Sequence, residues 1–258
     1  MTQWIALSRS DHAEAHYRPR DAFHVTAGQA VAPVLLAELG RLLPHYVLGF
    51  IAQGDGYQPV ALLSLDGQRN LYLNADGRWL AGYVPASLRG HPFTLAQTEQ
   101  GQKQKVLAIA ADHLVDEGQP LFDEAGELSE PVARTLQFLN QCDRNRQPTW
   151  QAAQALGDAG VIEPWPLQLS RGEGQEPLKV QGLYRVSEQA LNGLEAEAFA
   201  TLRGGPLALA HAQLFSTHQL NQLTERAKLH AQQSEVPENL DSLLDGMEDD
   251  DLTFDFDT

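Results

Sequence analysis

The amino-acid sequence predicts an α+β protein: an antiparallel β-meander core, several packed helices and a disordered acidic C-terminal tail. Three observations predict it. Strand-like segments joined by Gly-containing turns dominate before residue 125. Helical spacing is mixed in after it, and the two never alternate as the βαβ units that a doubly wound sheet needs.

The elements follow in order. Trp4–Leu7 and Ala22–Thr26 read as short extended pieces with a polar, His-rich link between them. Ala32–Leu43 carries Leu35, Leu36, Leu39, Leu42 and Leu43 at helical spacing, and Pro44 stops the helix. Tyr46–Ala52 is a β-branched and aromatic run, so it reads as a buried strand. Val60–Leu65, Asn70–Leu73 and Arg78–Val84 form the meander, because Asp66-Gly67 and Asn74-Ala75-Asp76-Gly77 put Gly where tight turns need positive φ. Val106–Ala110 adds a further strand. Ser129 with Glu130 and Pro131 opens a helix whose Val132, Leu136 and Leu139 share a face. Thr149 is read as the cap of a second, short helix through Ala155. Val161–Leu169 and Leu178–Val186 read as strands, and Ser187 caps a helix with the stripe Leu191, Leu194, Ala198 and Leu202. Gly204-Gly205-Pro206 breaks the chain, and Leu207 to Leu229 forms the last helix.

At 258 residues and 43% apolar content the chain is long enough for one large domain with its own core. The formal charge of −16 disfavours nucleic acid and anionic lipid as partners. Ten carboxylates lie in residues 234–258, with no Lys or Arg among them, and removing those ten leaves −6 for residues 1–233. The expected division is therefore an α+β domain over 1–233 and a disordered tail over 234–258. The single cysteine, Cys142, permits no internal disulfide and fits a reducing compartment. Met1–Pro19 has no apolar h-region, and Glu38, Arg41, Pro44 and His45 interrupt the most apolar window, Val31–Phe50. A protein that does not span a membrane and resides in the cytoplasm is expected; the alternative is the cell surface by a route independent of a signal peptide.

The segment from Asn70 to Phe93 resembles the signature region of SapC family proteins. It presents Asn70-Leu-Tyr, then Asp76-Gly-Arg-Trp79, then Tyr83-Val-Pro-Ala86 and finally Arg89-Gly-His-Pro-Phe93. Glu38 through Phe50, Gly118 through Glu127 and the Leu207–Leu223 helix are similar to the family as well. One departure is Gly90-His91, where the family pattern leads to a bulky or aromatic residue after the arginine. The resemblance implies a link to bacterial surface-layer or uptake processes and brings no catalytic residues with it. A peptide-transporter permease that shares the SapC label is a different, membrane-spanning protein.

Read for chemistry, the first candidate site is Trp79, Tyr83, Arg89, His91 and Phe93. Pro85 and Pro92 stiffen this stretch, and aromatics with one Arg suit a carbohydrate, peptide or carboxylate ligand. The competing reading makes Trp79 and Phe93 core residues and gives Arg89 the task of satisfying buried carbonyls. No metal and no cofactor is expected: His12/His16 and His211/His218 lack partners at ligand spacing, and no Gly-x-Ser-x-Gly, His-Glu-x-x-His or Walker motif occurs. Cys142, near Arg144 and Arg146, is read as a helical thiol of ordinary reactivity. In the tail, Leu252, Phe254 and Phe256 alternate with acid, the composition of a peptide that docks on a protein partner with a basic surface. The expectation is a non-enzymatic binding or interaction protein; the alternative is an enzyme or accessory subunit with its site near Arg89 and His91.

Overall fold

The computed structural model describes residues 2–97, 105–169 and 178–235. Thirteen strands are found among them: β1 Trp4–Ala6, β2 His16–Tyr17, β3 Val31–Pro33, β4 Leu48–Gln53, β5 Gly56–Leu62, β6 Phe93–Gln97, β7 Lys105–Ala110, β8 Leu114–Val115, β9 Gln119–Pro120, β10 Ile162–Pro164, β11 Leu167–Leu169, β12 Leu178–Val180 and β13 Leu183–Val186. The helices are α1 Arg9–His12, α2 Leu39–Leu42, α3 Ala86–Arg89, α4 Glu130–Asp158, α5 Glu188–Asn192, α6 Ala196–Thr201, α7 Gly205–Ser216 and α8 Leu220–Glu235.

The α+β class holds, and every sheet is antiparallel. The main sheet has the order β10-β13-β4-β5-β3. Its central hairpin pairs Gln53 with Gly56 across a two-residue turn, where Gly54 takes φ +58°. A smaller sheet, β1-β7-β6, lies apart from it. Each sheet has its own core. Tyr46, Phe50, Leu62, Tyr72, Trp165 and Leu209 are among the residues of the larger one; Tyr17, Phe93, Ile109, Leu121 and Val132 belong to the smaller.

The 29-residue helix α4 connects the two cores. Val132 with Leu136 and Leu139 packs into the smaller, while Ala152, Ala153 and Leu156 pack into the larger. At 1.5 Å per residue the helix is about 43 Å long, enough to reach across both. Its middle therefore crosses the region between the cores. Beyond the Tyr184–Phe50 pair β4 and β13 part, and α7 bridges them there. The Gln213 amide accepts from Val186 N at 2.9 Å and donates to Leu48 O at 3.2 Å, and Ser216 Oγ accepts from Leu48 N at 2.8 Å.

Several local expectations change. The meander narrows to its first strand, because 70–84 is irregular apart from one bridge between Leu73 and Trp79. Leu71, Tyr72 and Leu73 are all buried, so no exposed face alternates, and the Asn70 side chain takes the Tyr72 N–H itself. Residues 24–26 form a 3₁₀ turn, and the helix expected from Ala32 is strand β3 followed by helical turns only from Leu36 to Leu42. The two helices expected around Thr149 are one. The Thr149 hydroxyl bonds back to Asn145 O and accepts from Leu36 N at 3.0 Å, so it caps a neighbouring element. Gly193 divides the helix expected after Ser187 into α5 and α6, and a 3₁₀ turn at Thr217–Gln219 divides the last helix into α7 and α8. The tail from Val236, with Leu252, Phe254 and Phe256, lies outside the described residues.

Candidate functional site

Where the middle of α4 passes the Leu36–Leu42 helical turns and α3, the surface opens into a cleft of about 200 Å³. Glu38 and Arg41 come from the first wall, Tyr83, Ala86 and Arg89 from the second, and Phe138, Gln141, Cys142 and Asn145 from the third. The α4 residues sit at i, i+3, i+4 and i+7, one face of the helix.

Glu38 organises the floor. It stands among leucines on the Leu36–Leu42 stretch and is only 4% exposed. Its Oε1 accepts from Leu35 N at 3.0 Å, and its Oε2 accepts from Tyr83 Oη at 2.9 Å and from Ala86 N at 2.8 Å. One carboxylate thus meets the opening N–H groups of two helical segments, its own and α3, where Pro85 has no side chain to cap with. Burial pushes the Glu38 carboxyl above the usual carboxylate range, against the pull of these donors. Tyr83 in turn accepts from Arg89 Nη2 at 3.1 Å, and burial followed by the Glu38 charge pushes its phenol up to about 12.

Arg89 lies over the rings of Tyr83 and Phe138, with its guanidinium carbon 5.1 and 4.5 Å from the two centroids. Its Nε is buried without a hydrogen-bond partner. Arg41 lies 4.8 Å over the Tyr83 ring from the solvent side. Among the described residues neither arginine takes part in an ion pair. Arg20 secures the far end of α3: its Nη1 donates to the carbonyls of Leu88, Arg89 and His91 at 3.2, 3.0 and 3.3 Å. Burial raises the Cys142 thiol, and the Arg89 charge opposes that shift.

Of the five residues expected to form the site, Tyr83 and Arg89 meet in this cleft. Trp79 lies behind it, stacked on Tyr72 and edge-on to Phe23. Its indole N–H donates to Tyr46 Oη at 2.7 Å, and Tyr46 donates to the Tyr83 carbonyl, so Trp79 braces the Tyr83 backbone. Phe93 is in the smaller core, edge-on to Tyr17. His91 faces His113, Nε2 to Nε2 at 3.1 Å, while His113 Nδ1 lies 2.6 Å from the Arg18 carbonyl. The two rings stand nearly perpendicular, and burial lowers the His91 pKa. The carbonyl-satisfying role considered for Arg89 falls to Arg20.

Sequence reasoning missed Glu38, Arg41 and the α4 face. A lone carboxylate inside a leucine stripe was the available signal for Glu38. A polar break in the α4 stripe after Leu139 was the signal for Gln141 and Asn145. Among the described residues no cluster of His, Cys, Asp and Glu is placed to hold a metal, and no helix is long and apolar enough to cross a membrane.

The fold and cleft define an antiparallel α+β protein with two cores and an arginine-lined cleft between them. A family model described as SapC matches residues 7–223, and the chain belongs to the SapC family. No curated protein and no solved structure matches it. Glu38, Tyr83, Ala86 and Arg89, which form the cleft's hydrogen-bonded unit, all lie in segments that carry the resemblance to that family.

Proposed function

We propose that this chain is a non-enzymatic binding protein of the SapC family, with its ligand in the cleft between the Leu36–Leu42 turns, α3 and α4. One observation carries the reading. The Glu38–Tyr83–Arg89 chain is fixed by its own hydrogen bonds, while among the described residues the two guanidiniums at the same opening have no ion-pair partner. Preorganised donors beside a small cleft are what recognition requires. The groups there do not favour covalent chemistry: burial raises both the Cys142 thiol and the Tyr83 phenol, which disfavours the nucleophilic forms near neutral pH. A cleft of about 200 Å³ is below the usual drug-sized range, so the ligand is small: a carbohydrate unit, a short peptide end or a carboxylate. The acidic tail, with Phe254 and Phe256, supplies a second contact, to a protein partner with a basic surface, and the cell-surface or uptake role implied by the family resemblance belongs to that partner's process.

The cleft is tested by titrating full-length, isotope-labelled protein with neutral sugars, short peptides and small carboxylates and mapping the amide shifts. Shifts centred on Tyr83, Arg89 and Phe138–Asn145 are expected. Binding that maps elsewhere, for example to His91 and His113, would move the site. For the tail, interactions found with full-length protein are compared with those of the 1–233 chain; identical sets would reduce the tail to a solubilising device.

A further inference from the structure

We infer that the cleft selects a small monocarboxylate, held by Arg89 and Arg41. This rests on the cleft being the ligand site and adds what chemistry it accepts.

The charge at the opening sets the sign. Arg41 and Arg89 contribute two positive charges, and among the described residues no carboxylate lies within ion-pairing distance of either. Glu38 is the one carboxylate in the lining, and its oxygens are already engaged by three donors. Three donors converging on one carboxyl favour its carboxylate form, against the burial that opposes it. Two cations and one anion leave a net charge of +1 facing the cleft. A monoanion neutralises it. A dianion such as a phosphate monoester overshoots, and its second charge is set against Glu38 in a partly desolvated place.

The geometry of Arg89 adds shape. Two rings fix the guanidinium plane, and one nitrogen is spent on Tyr83. The Nε–H is buried and unsatisfied, which costs free energy in the folded chain. As a lining residue of the cleft, Arg89 offers its remaining Nη–H donors to a carboxylate oxygen. Arg41, exposed over Tyr83, supplies the second cation from the rim. Beside them, Gln141 and Asn145 line the cleft with amides suited to a neutral polar body. The cleft volume of about 200 Å³ suits a ligand of a few carbons or one sugar ring.

The test uses full-length protein and probes that differ only in head group: glucuronate against glucose and glucose 6-phosphate, and lactate against lactamide. Amide shifts and calorimetry are both read. The expected result is that the two monocarboxylates bind in the cleft and the neutral counterparts bind at least about tenfold more weakly. The phosphate ester is expected between them, and added chloride weakens all anion binding. Arg89→Met abolishes the preference for acid over neutral probe, and Arg89→Lys keeps part of it. If Arg89→Met does not fold, Arg41→Met on the rim must still reduce that preference several-fold. Neutral probes binding in the cleft as well as the acids would overturn the inference while leaving the cleft as the ligand site. Acids binding only outside the cleft would overturn both. No response to either acid would overturn the inference alone, since peptides and sugars remain to be titrated.

Discussion

Removing the Glu38 carboxylate by Glu38→Ala should be among the most destabilising single changes in the chain. It leaves Leu35 N, Ala86 N and Tyr83 Oη without their acceptor. A buried donor left unsatisfied costs about 1–3 kcal/mol, so three nominally cost about 3–9 kcal/mol. Two effects reduce this. The cleft admits water to part of the site, and the strain of keeping a carboxylate buried, visible in the upward shift of its pKa, is relieved. The net expectation is about 3–5 kcal/mol, the range found when one member of a buried charged network is deleted. For a domain of this size that corresponds to a fall in Tm of roughly 6–20 °C. Glu38→Gln should cost less, about 1–3 kcal/mol, because the amide oxygen still accepts while its NH₂ is turned toward a donor. Urea unfolding followed by circular dichroism and tryptophan fluorescence measures both. A loss below about 1 kcal/mol for Glu38→Ala would refute the claim that this carboxylate holds α3 and its own helical turn together.

Other consequences follow from the same contacts. Gln213→Leu removes the amide that bridges β4 and β13, leaves Val186 N and Leu48 O unpaired, and should cost about 2–4 kcal/mol in the same unfolding assay. Gly90→Ala should destabilise by about 1–3 kcal/mol, because a Cβ there would lie 2.6 Å from Leu139 Cδ2 and 3.1 Å from Phe93 O. The His91 pKa is lowered, first by burial and then by His113 and Arg20, with Asp112 opposing. The stability that neutral His91 contributes is therefore complete above its ordinary 6.5 and lost as pH falls below it. Unfolding free energy measured from about pH 7.5 down to about 5.5 should drop more in wild type than in His91→Gln; parallel curves would contradict the lowered His91 pKa.

Much of the fold was legible because burial leaves a periodic trace. The strands around Phe50 and Ile109 and the helix opened by Ser129-Glu130-Pro131 announced themselves through apolar runs and capping chemistry. The loop from Asn70 to Val84 did not, because its residues are held by side chains: Asn70 engages Thr26 and Tyr72, and Trp79 engages Tyr46. Such bonds span tens of residues and have no period. Thr149 misled for the same reason, since a Thr after Pro148 reads as a local cap while its hydroxyl serves Leu36. The cleft was half legible. Tyr83 and Arg89 lie six apart on one stiffened stretch, and the resemblance drew notice to them. Glu38, 45 residues before Tyr83 in the chain, becomes their partner only through the fold. Gly90, where the chain departs from the family pattern, packs against the Leu139 side chain, which a Cβ there would push aside.

The claim at the centre of this account is that the cleft between the Leu36–Leu42 turns, α3 and α4 is the ligand site, and Cys142 reports on it directly. It is the only cysteine in the chain and lines the cleft, so alkylation of full-length protein followed by mass has one signal. The prediction is that a ligand identified by titration slows Cys142 alkylation in proportion to occupancy, and that Arg89→Met removes the protection. A ligand that saturates the protein while Cys142 reacts at its unliganded rate would place binding elsewhere and contradict the account.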